Sequence, residues 1–430
     1  MPCVMNAMVL VAILGSPVGV RAADEGPAAS MFSLHGFGTV GEVYSDAHDA
    51  DFVGSPFQPN GAGYSQAWAP GVDSKAGLQL GAQFTEKLSA IVQVVSQHDY
   101  DNTWRPQIEW ANLNYQLTPD LSIRAGRSVA APFLLSDTSL VGYTYPWIRL
   151  PIELYGELPV SNQDGLAVNY HLHSGAVKQT FSVSYGQTNL DIKGGGKVSA
   201  RKFLETSDAV EWDSLTFRIG YTSLRATTDI PALDPLFAGF TQFGAQVSSL
   251  GFPATGAQAS ALGATYSRQE SFPYAFSMAT VGVSYDPGDW LLTTEWAKTA
   301  SDGILERSSA WYLMAGRRVG KFTPYVTVGQ VESGSNANSG IGTAGLPAPL
   351  AAAAATLNGG LAVALGEFAP SQSSATVGLR WDAMKDIDFK LQYDRVRLDA
   401  NSIGRLGNEQ PGFRAAPNVN TVSVAMDFVF

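Results

Sequence analysis

The chain has 430 residues, a formal net charge of −11 and only 15% charged residues, with glycine (44 residues) and aromatics (11%) in excess. An acidic chain does not suit nucleic-acid binding, which draws its affinity from neutralising phosphates. A hydrophobic content of 45% excludes disorder, and beyond the N-terminus no uncharged apolar run reaches the ~18 residues of a membrane-spanning helix.

In chain order, residues 7–20 form an apolar stretch of signal-peptide length, too short to span a bilayer. Val20, Arg21 and Ala22 place cleavage after Ala22, so residues 1–22 read as a leader and 23–430 as the mature chain. Cys3 is the single cysteine and lies in the leader, so the mature chain needs no disulfide framework.

From residue 30 onward the apolar period is two. Leu78, Leu80, Ala82 and Phe84 alternate with Gly77, Gln79, Gly81 and Gln83. Ala111, Leu113, Tyr115 and Leu117 alternate with Asn112, Asn114 and Gln116, and the last segment sets Val422, Val424, Met426, Phe428 and Phe430 against Ser423, Ala425 and Asp427. The polar face is mostly Gly, Ser, Thr, Asn and Gln rather than the Lys and Glu of a sandwich facing bulk water. That composition suits the wall of a water-filled lumen, with the apolar face toward lipid. A sheet in hydrocarbon leaves no open edge, so it closes. The expected fold class is all-β: a transmembrane antiparallel β-barrel.

Short turns at 85–87, 118–120, 174–176, 286–289, 319–321 and 383–386 alternate with long connections at 45–74, 101–107, 129–163, 188–212, 301–308, 333–371 and 399–417. The segments between them predict sixteen strands: 32–44, 75–85, 88–99, 108–117, 121–128, 164–173, 177–187, 213–225, 259–268, 273–285, 290–300, 309–319, 321–332, 372–382, 387–398 and 418–430. Residues 226–258 then form a long connection on the otherwise short-turned, periplasmic rim. There, Phe237, Phe240 and Phe243 have helical spacing. Residues 350–356 are Ala-rich and form either a short helix or an outer loop.

With this pattern on the page, the chain resembles the general and substrate-specific porins of Gram-negative outer membranes. The resemblance spans the leader, the strand-like units, the turn alternation and the terminal aromatic Phe430. It implies an outer-membrane channel for passive diffusion of small hydrophilic solutes, no cofactor, a homotrimer among outer-membrane lipid and LPS, and assembly by the barrel machinery through Phe430. It also implies that the third long connection, 129–163, folds inward as a constriction. Its sequence PFLLSDTSLVGYTYPWIRLPIELYGELP resembles loops near the phosphate-selective group, but it offers only Arg149 against Asp137, Glu153 and Glu157.

The expected constriction comprises Arg124, Arg127, Asp137, Arg149 and Glu153. The expected pore lining adds Lys75, Arg218, Glu295, Arg380, Asp382, Lys390 and Asp394. Arginines on the wall facing carboxylates on the loop would set up a transverse field; the alternative is that Arg124 or Arg127 ties loop carboxylates down. Tyr115, Tyr185, Tyr221, Tyr285, Trp290, Trp311, Trp381 and Tyr393 read as interfacial girdles, and Trp104, Trp147 and Trp212 as solute contacts. His171 and His173 read as lumen lining without a third metal ligand. The rival functions are an outer-membrane barrel enzyme of lipase or protease type and a closed adhesin or scaffold barrel.

Overall fold

The structure, a computed structural model, describes residues 31–430 except 272, 304–306, 335–339, 367, 400–401, 411 and 414–417. The expected leader lies outside the described residues.

Sixteen long strands follow one another: β1 Phe32–Ser45, β2 Lys75–Gln83, β3 Leu88–Gln97, β4 Gln107–Thr118, β5 Leu121–Val129, β6 Asn162–Ser174, β7 Val177–Ile192 and β8 Gly196–Trp212. The second half comprises β9 Leu215–Asp229, β10 Tyr274–Tyr285, β11 Trp290–Ser301, β12 Ser308–Arg317, β13 Phe322–Ser333, β14 Gln372–Met384, β15 Ile387–Leu398 and β16 Val419–Val429. Each pairs antiparallel with the next, and β16 returns to β1 in a register running from Phe37 opposite Val429 to Ser45 opposite Thr421. The sheet is therefore closed, and no barrel edge is left unpaired. Alternation decides the faces: Leu78, Leu80, Leu113, Leu166, Ile219, Val326, Leu391 and Val424 are exposed outward, while their neighbours Gln79, Asn112, Thr327, Gln392 and Ser423 turn in. At the closure, Gly36 and Gly38 on β1 carry no Cβ, so the rings of Phe430 and Phe428 lie directly against their backbone.

The strand number agrees with the sequence reading, but two segments exchange roles. Residues 188–212, expected as a loop, complete β7 and form β8. Residues 259–268, expected as the ninth strand, lie inside a helix. The bulge between Arg201 and Leu204, with Lys202 at φ 50°, breaks the alternation of β8 halfway and hides its period. The correction moves 226–258 to the other rim. Residues up to Asp229 finish β9, and the rest belongs to the long connection leading back to β10, on the same rim as the other long connections. That connection holds α2 Asp234–Ser249 and α3 Pro253–Ser271; α1 is the single turn Ile152–Tyr155 in the third connection, and α4 Ala348–Gly366 follows β13. Phe237, Phe240 and Phe243 are helical, as their spacing predicts, and pack with Val247, Ala354 and Leu361 between α2 and α4. The Ala-rich 350–356 segment lies in α4.

Candidate functional site

The third connection, residues 130–161, leaves β5 and crosses the barrel to the opposite wall. Its contacts trace the path. Leu134 donates its backbone N–H to Glu295 on β11 (2.7 Å), Trp147 donates its indole N–H to Thr327 on β13 (2.8 Å), and Ile148 donates its N–H to Gln392 on β15 (3.0 Å). Gly142 reaches Thr39 on β1 and Asp427, near the end of β16.

A segment crossing a lumen has backbone groups and no ladder to pair them, and each one buried unpaired costs free energy. Wall side chains substitute for the ladder. Arg380 donates to the carbonyls of Tyr143 (2.6 Å) and Tyr145 (3.2 Å), and Lys390 to those of Gly142 (2.7 Å) and Trp147 (2.8 Å). Arg218 does the same at the base, to Ala131 and to Pro132 (2.8 Å). Glu205 accepts from the N–H of Ala131 (3.3 Å), and Glu295 also accepts from the hydroxyls of Tyr155 (2.7 Å) and Tyr312 (2.8 Å). The docking cations are balanced in place: Lys390 by Asp427 at 2.7 Å, Arg380 by Asp382 at 2.8 Å and Asp388 at 3.1 Å.

Arg149 is the central tie. It is buried, sits between Asp73 of the first connection (2.6 Å) and Asp394 of β15 (2.9 Å), donates to Ser423 on β16 (2.6 Å) and covers the ring of Phe52 at 5.0 Å. Burial alone would ease its proton off, but the two carboxylates more than offset that and raise its pKa. Glu153, also buried, accepts from Gln372 (2.7 Å), and Glu157 pairs with Arg405 of the last connection. Burial pushes the Glu157 carboxyl up against the pull of that arginine.

An apolar cluster fills the space around these ties. Phe133, Tyr145, Trp147, Leu150 and Leu154 from the connection pack on Phe203, Met278, Tyr312, Met314 and Tyr325 from the wall. A small cavity of about 30 Å³ remains between Phe52, Trp147, Glu153, Ser374 and Gln392.

The inward connection thus occupies one side of the lumen. On the other side, the inward positions Asn114, Arg124, Asn169, His171, Ser182 and Ser207 of β4–β8 stay half-exposed. Arg124 makes no ion pair among the described residues, its Nε has no hydrogen-bond partner, and Asp137, exposed on the inward connection, acts on it through space.

The expected site therefore separates into parts. Arg124 is partly accessible on the open side, and the exposed Asp137 acts on it through space. Arg149 and Glu153 are buried on the packed side. Arg127 joins neither: it lies on the outward face and pairs with Asp164 at 2.8 Å, directly across β5 and β6. Three residues separate it from Arg124, so strand alternation puts the two arginines on opposite faces. Of the expected lining, Lys75 is half-buried on β2 and Asp382 keeps an accessible carboxylate, whereas Arg218, Glu295, Arg380, Lys390 and Asp394 are consumed in holding the connection. Trp147 is a core residue at 2% exposure, and Trp212 is exposed at the short-turn end of β8. The girdle aromatics, Tyr115 through Tyr393, are all exposed.

Sequence reasoning missed Asp73, which shares its segment with no apolar period, and Glu205, hidden in the strand read as a loop. It also missed Asp388 and Gln392, which share the parity of the expected Lys390 and Asp394 on β15, and that parity was the available signal.

No family model matches the chain, and no curated protein matches it in sequence. Solved structures do match in fold. The outer membrane channel DcaP of Acinetobacter baumannii aligns at TM-score 0.55 and 11% identity over 93% of this chain and 97% of that one. The anion-selective porin from Comamonas acidovorans aligns at 0.53 and 12%, over 93% and 99%. OmpT, an outer membrane protein of Vibrio cholerae in its trimer form, aligns at 0.50 and 11%, over 93% and 100%. At these identities the likeness is one of fold: a closed, antiparallel, 16-stranded barrel.

Proposed function

We propose that the chain is a porin of the Gram-negative outer membrane, a passive channel for small hydrophilic solutes and not an enzyme. The observation that carries this is the division of faces. The outer wall is an apolar belt, while the inner wall of β4–β8 carries a row of polar side chains, Asn114, Arg124, Asn169, His171, Ser182 and Ser207, that solvent reaches. The fold neighbours named as a channel and a porin support the reading, and the neighbour titled as a trimer supports a homotrimer. In this reading Arg124 and Asp137 are the charged pair at the narrowest accessible passage. Single-channel recording of the purified chain in planar bilayers tests it: steady open-pore steps are expected. Their complete absence overturns it in favour of a closed barrel, a second reading that the apolar packing around Trp147 favours.

A further inference from the structure

We infer that Glu205 on β8 holds a proton and anchors the root of the inward connection as a neutral carboxylic acid, paired with the side-chain amide of Gln163 on β6. This deepens the channel reading, and only its effect on transport rests on that reading.

Most buried carboxyl groups that face the inward connection have donors on both oxygens or a cation against them. Glu295 accepts from Leu134 on one oxygen and from Tyr155 and Tyr312 on the other. Glu157 accepts from Ser308 and Arg405, and Asp394 from Thr376 and Arg149, each on separate oxygens. Asp427 has Lys390 against it, and Asp388 has Arg380. Glu205 differs. Three donors converge on its Oε2: the N–H of Ala131 (3.3 Å), the amide of Gln163 (2.8 Å) and the hydroxyl of Ser184 (3.2 Å). Its Oε1 is buried with no donor, and among the described residues the group makes no ion pair.

A charged oxygen buried without a donor bears its full desolvation cost. Gln163, 1% exposed, has the same defect, since its Oε1 also lacks a donor. One proton removes both. On Oε1 of Glu205 it makes that oxygen a donor and leaves Oε2 as the acceptor of three bonds. The acceptor for the new donor is the Oε1 of the amide already bonded to Oε2. Turning the amide round does not remove the need, because two acceptor oxygens then meet at 2.8 Å.

The charged groups facing Glu205 are Arg218 of β9 and Asp137 of the inward connection. From β6 and β7 it meets the neutral Gln163 and Ser184. Arg218 already donates to the carbonyls of Ala131 and Pro132, beside the N–H that Glu205 holds. The proton therefore decides what Arg218 does. While Glu205 is neutral, Arg218 caps the carbonyls of the root. Ionisation draws the guanidinium to the carboxylate, the stronger acceptor, and frees the root. It also adds a negative charge to the row that holds Arg124, because Arg124, Ala167, Ser184 and Glu205 are successive cross-strand partners. Glu205 is thus a positioning residue under proton control.

The test compares the full chain with Glu205→Gln, in which an amide N–H stands where the inferred proton does. Difference infrared spectroscopy at pH 6 is expected to show a protonated-carboxyl band in wild type that Glu205→Gln lacks, and that disappears as pH rises. Amide exchange over 130–134, corrected for its intrinsic pH dependence, is expected to match in the two proteins at pH 6. Once the band has gone it becomes at least tenfold faster in wild type alone. Over the same pH range the bilayer reversal potential of wild type shifts toward cations, and that of Glu205→Gln does not. Absence of the band at pH 6, as an ionised carboxylate bridged by water gives, overturns the inference. So do identical pH profiles of exchange in the two proteins. A Glu205→Gln chain that fails to fold, or melts below wild type at pH 6, overturns it as well, since the amide replaces the neutral acid bond for bond. Infrared and exchange need no current, so a closed barrel removes the third readout and leaves the first two.

Discussion

Along β4–β8 the inward Asn114, Arg124, Asn169, Ser182 and Ser207 are reached by solvent, although Asn112, Ser122, Gln163 and Glu205 on the same strands are buried; along β12–β16 the inward Tyr312, Met314, Tyr325, Lys390 and Gln392 are all buried. The strands are alike in alternation and outward apolar face. The difference is the inward connection, which lies on one wall and not on the other. A charged side chain under it becomes a backbone-capping group, as Arg380 and Lys390 do, and one away from it, such as Arg124, stays within reach of solvent. Charge on a lumenal wall therefore does not by itself mean selectivity. Its availability depends on what is packed over it.

Breaking the packed side gives the largest effects. Arg149→Ala leaves Asp73 and Asp394 buried without their cation, and losing one partner of such a group costs about 3–5 kcal/mol. The connection is expected to release, with faster amide exchange over 142–154 and a larger single-channel conductance. Unchanged exchange there would mean that the apolar cluster alone holds the loop. Trp147→Phe keeps a ring but loses the N–H donated to Thr327 and opens a void among Tyr312, Tyr325 and Tyr145, for an expected loss of about 1–3 kcal/mol on thermal unfolding.

On the accessible side the expected effects on stability are small and those on transport are not. Arg124→Ala changes stability by less than about 0.5 kcal/mol, because no partner is lost. It shifts the bilayer reversal potential toward cations, and a potential equal to that of wild type would take Arg124 out of the selecting region. Arg127→Gln, on the lipid side, is expected to cost about 0.2–1 kcal/mol and to leave the reversal potential where it was.

The smallest effect sits at the short turns. Burial pushes the Asp286 carboxyl up, but hydrogen bonds from Arg318 and its charge pull it further down, to a net lowered pKa. A depressed carboxyl contributes stability above its unfolded pKa, about 4, and loses it as pH falls through the lower folded value. Asp286→Asn should therefore melt slightly below wild type at pH 7 and coincide with it in strong acid. A gap that persists below pH 2 would falsify the ion-pair origin.

How far the sequence reached differs by element. Fifteen of the strands now seen were legible from period two and turn residues, because an apolar face toward lipid and a small polar face inward leave little freedom of register. β8 was not, since its bulge shifts the period midway, and 259–268 read as a strand partly because the rim alternation requires an upward strand there, although those residues are helical. The two errors cancelled in the strand number while inverting one hairpin, which is why 226–258 was set on the wrong rim.

For the lumen, the sequence determined most of the side chains that point inward, because parity along a strand is local, although Arg127, expected in the constriction, lies outward. It named Arg124, Arg149, Arg380 and Lys390 without distinguishing their roles. Only the tertiary structure decided that, since the path of the inward connection is set by contacts hundreds of residues apart, such as Ile148 with Gln392 and Arg149 with Ser423. The physical reason is the need to pair a backbone that has no ladder. The connection settles where donors and acceptors converge, and the charges it takes up there leave the channel.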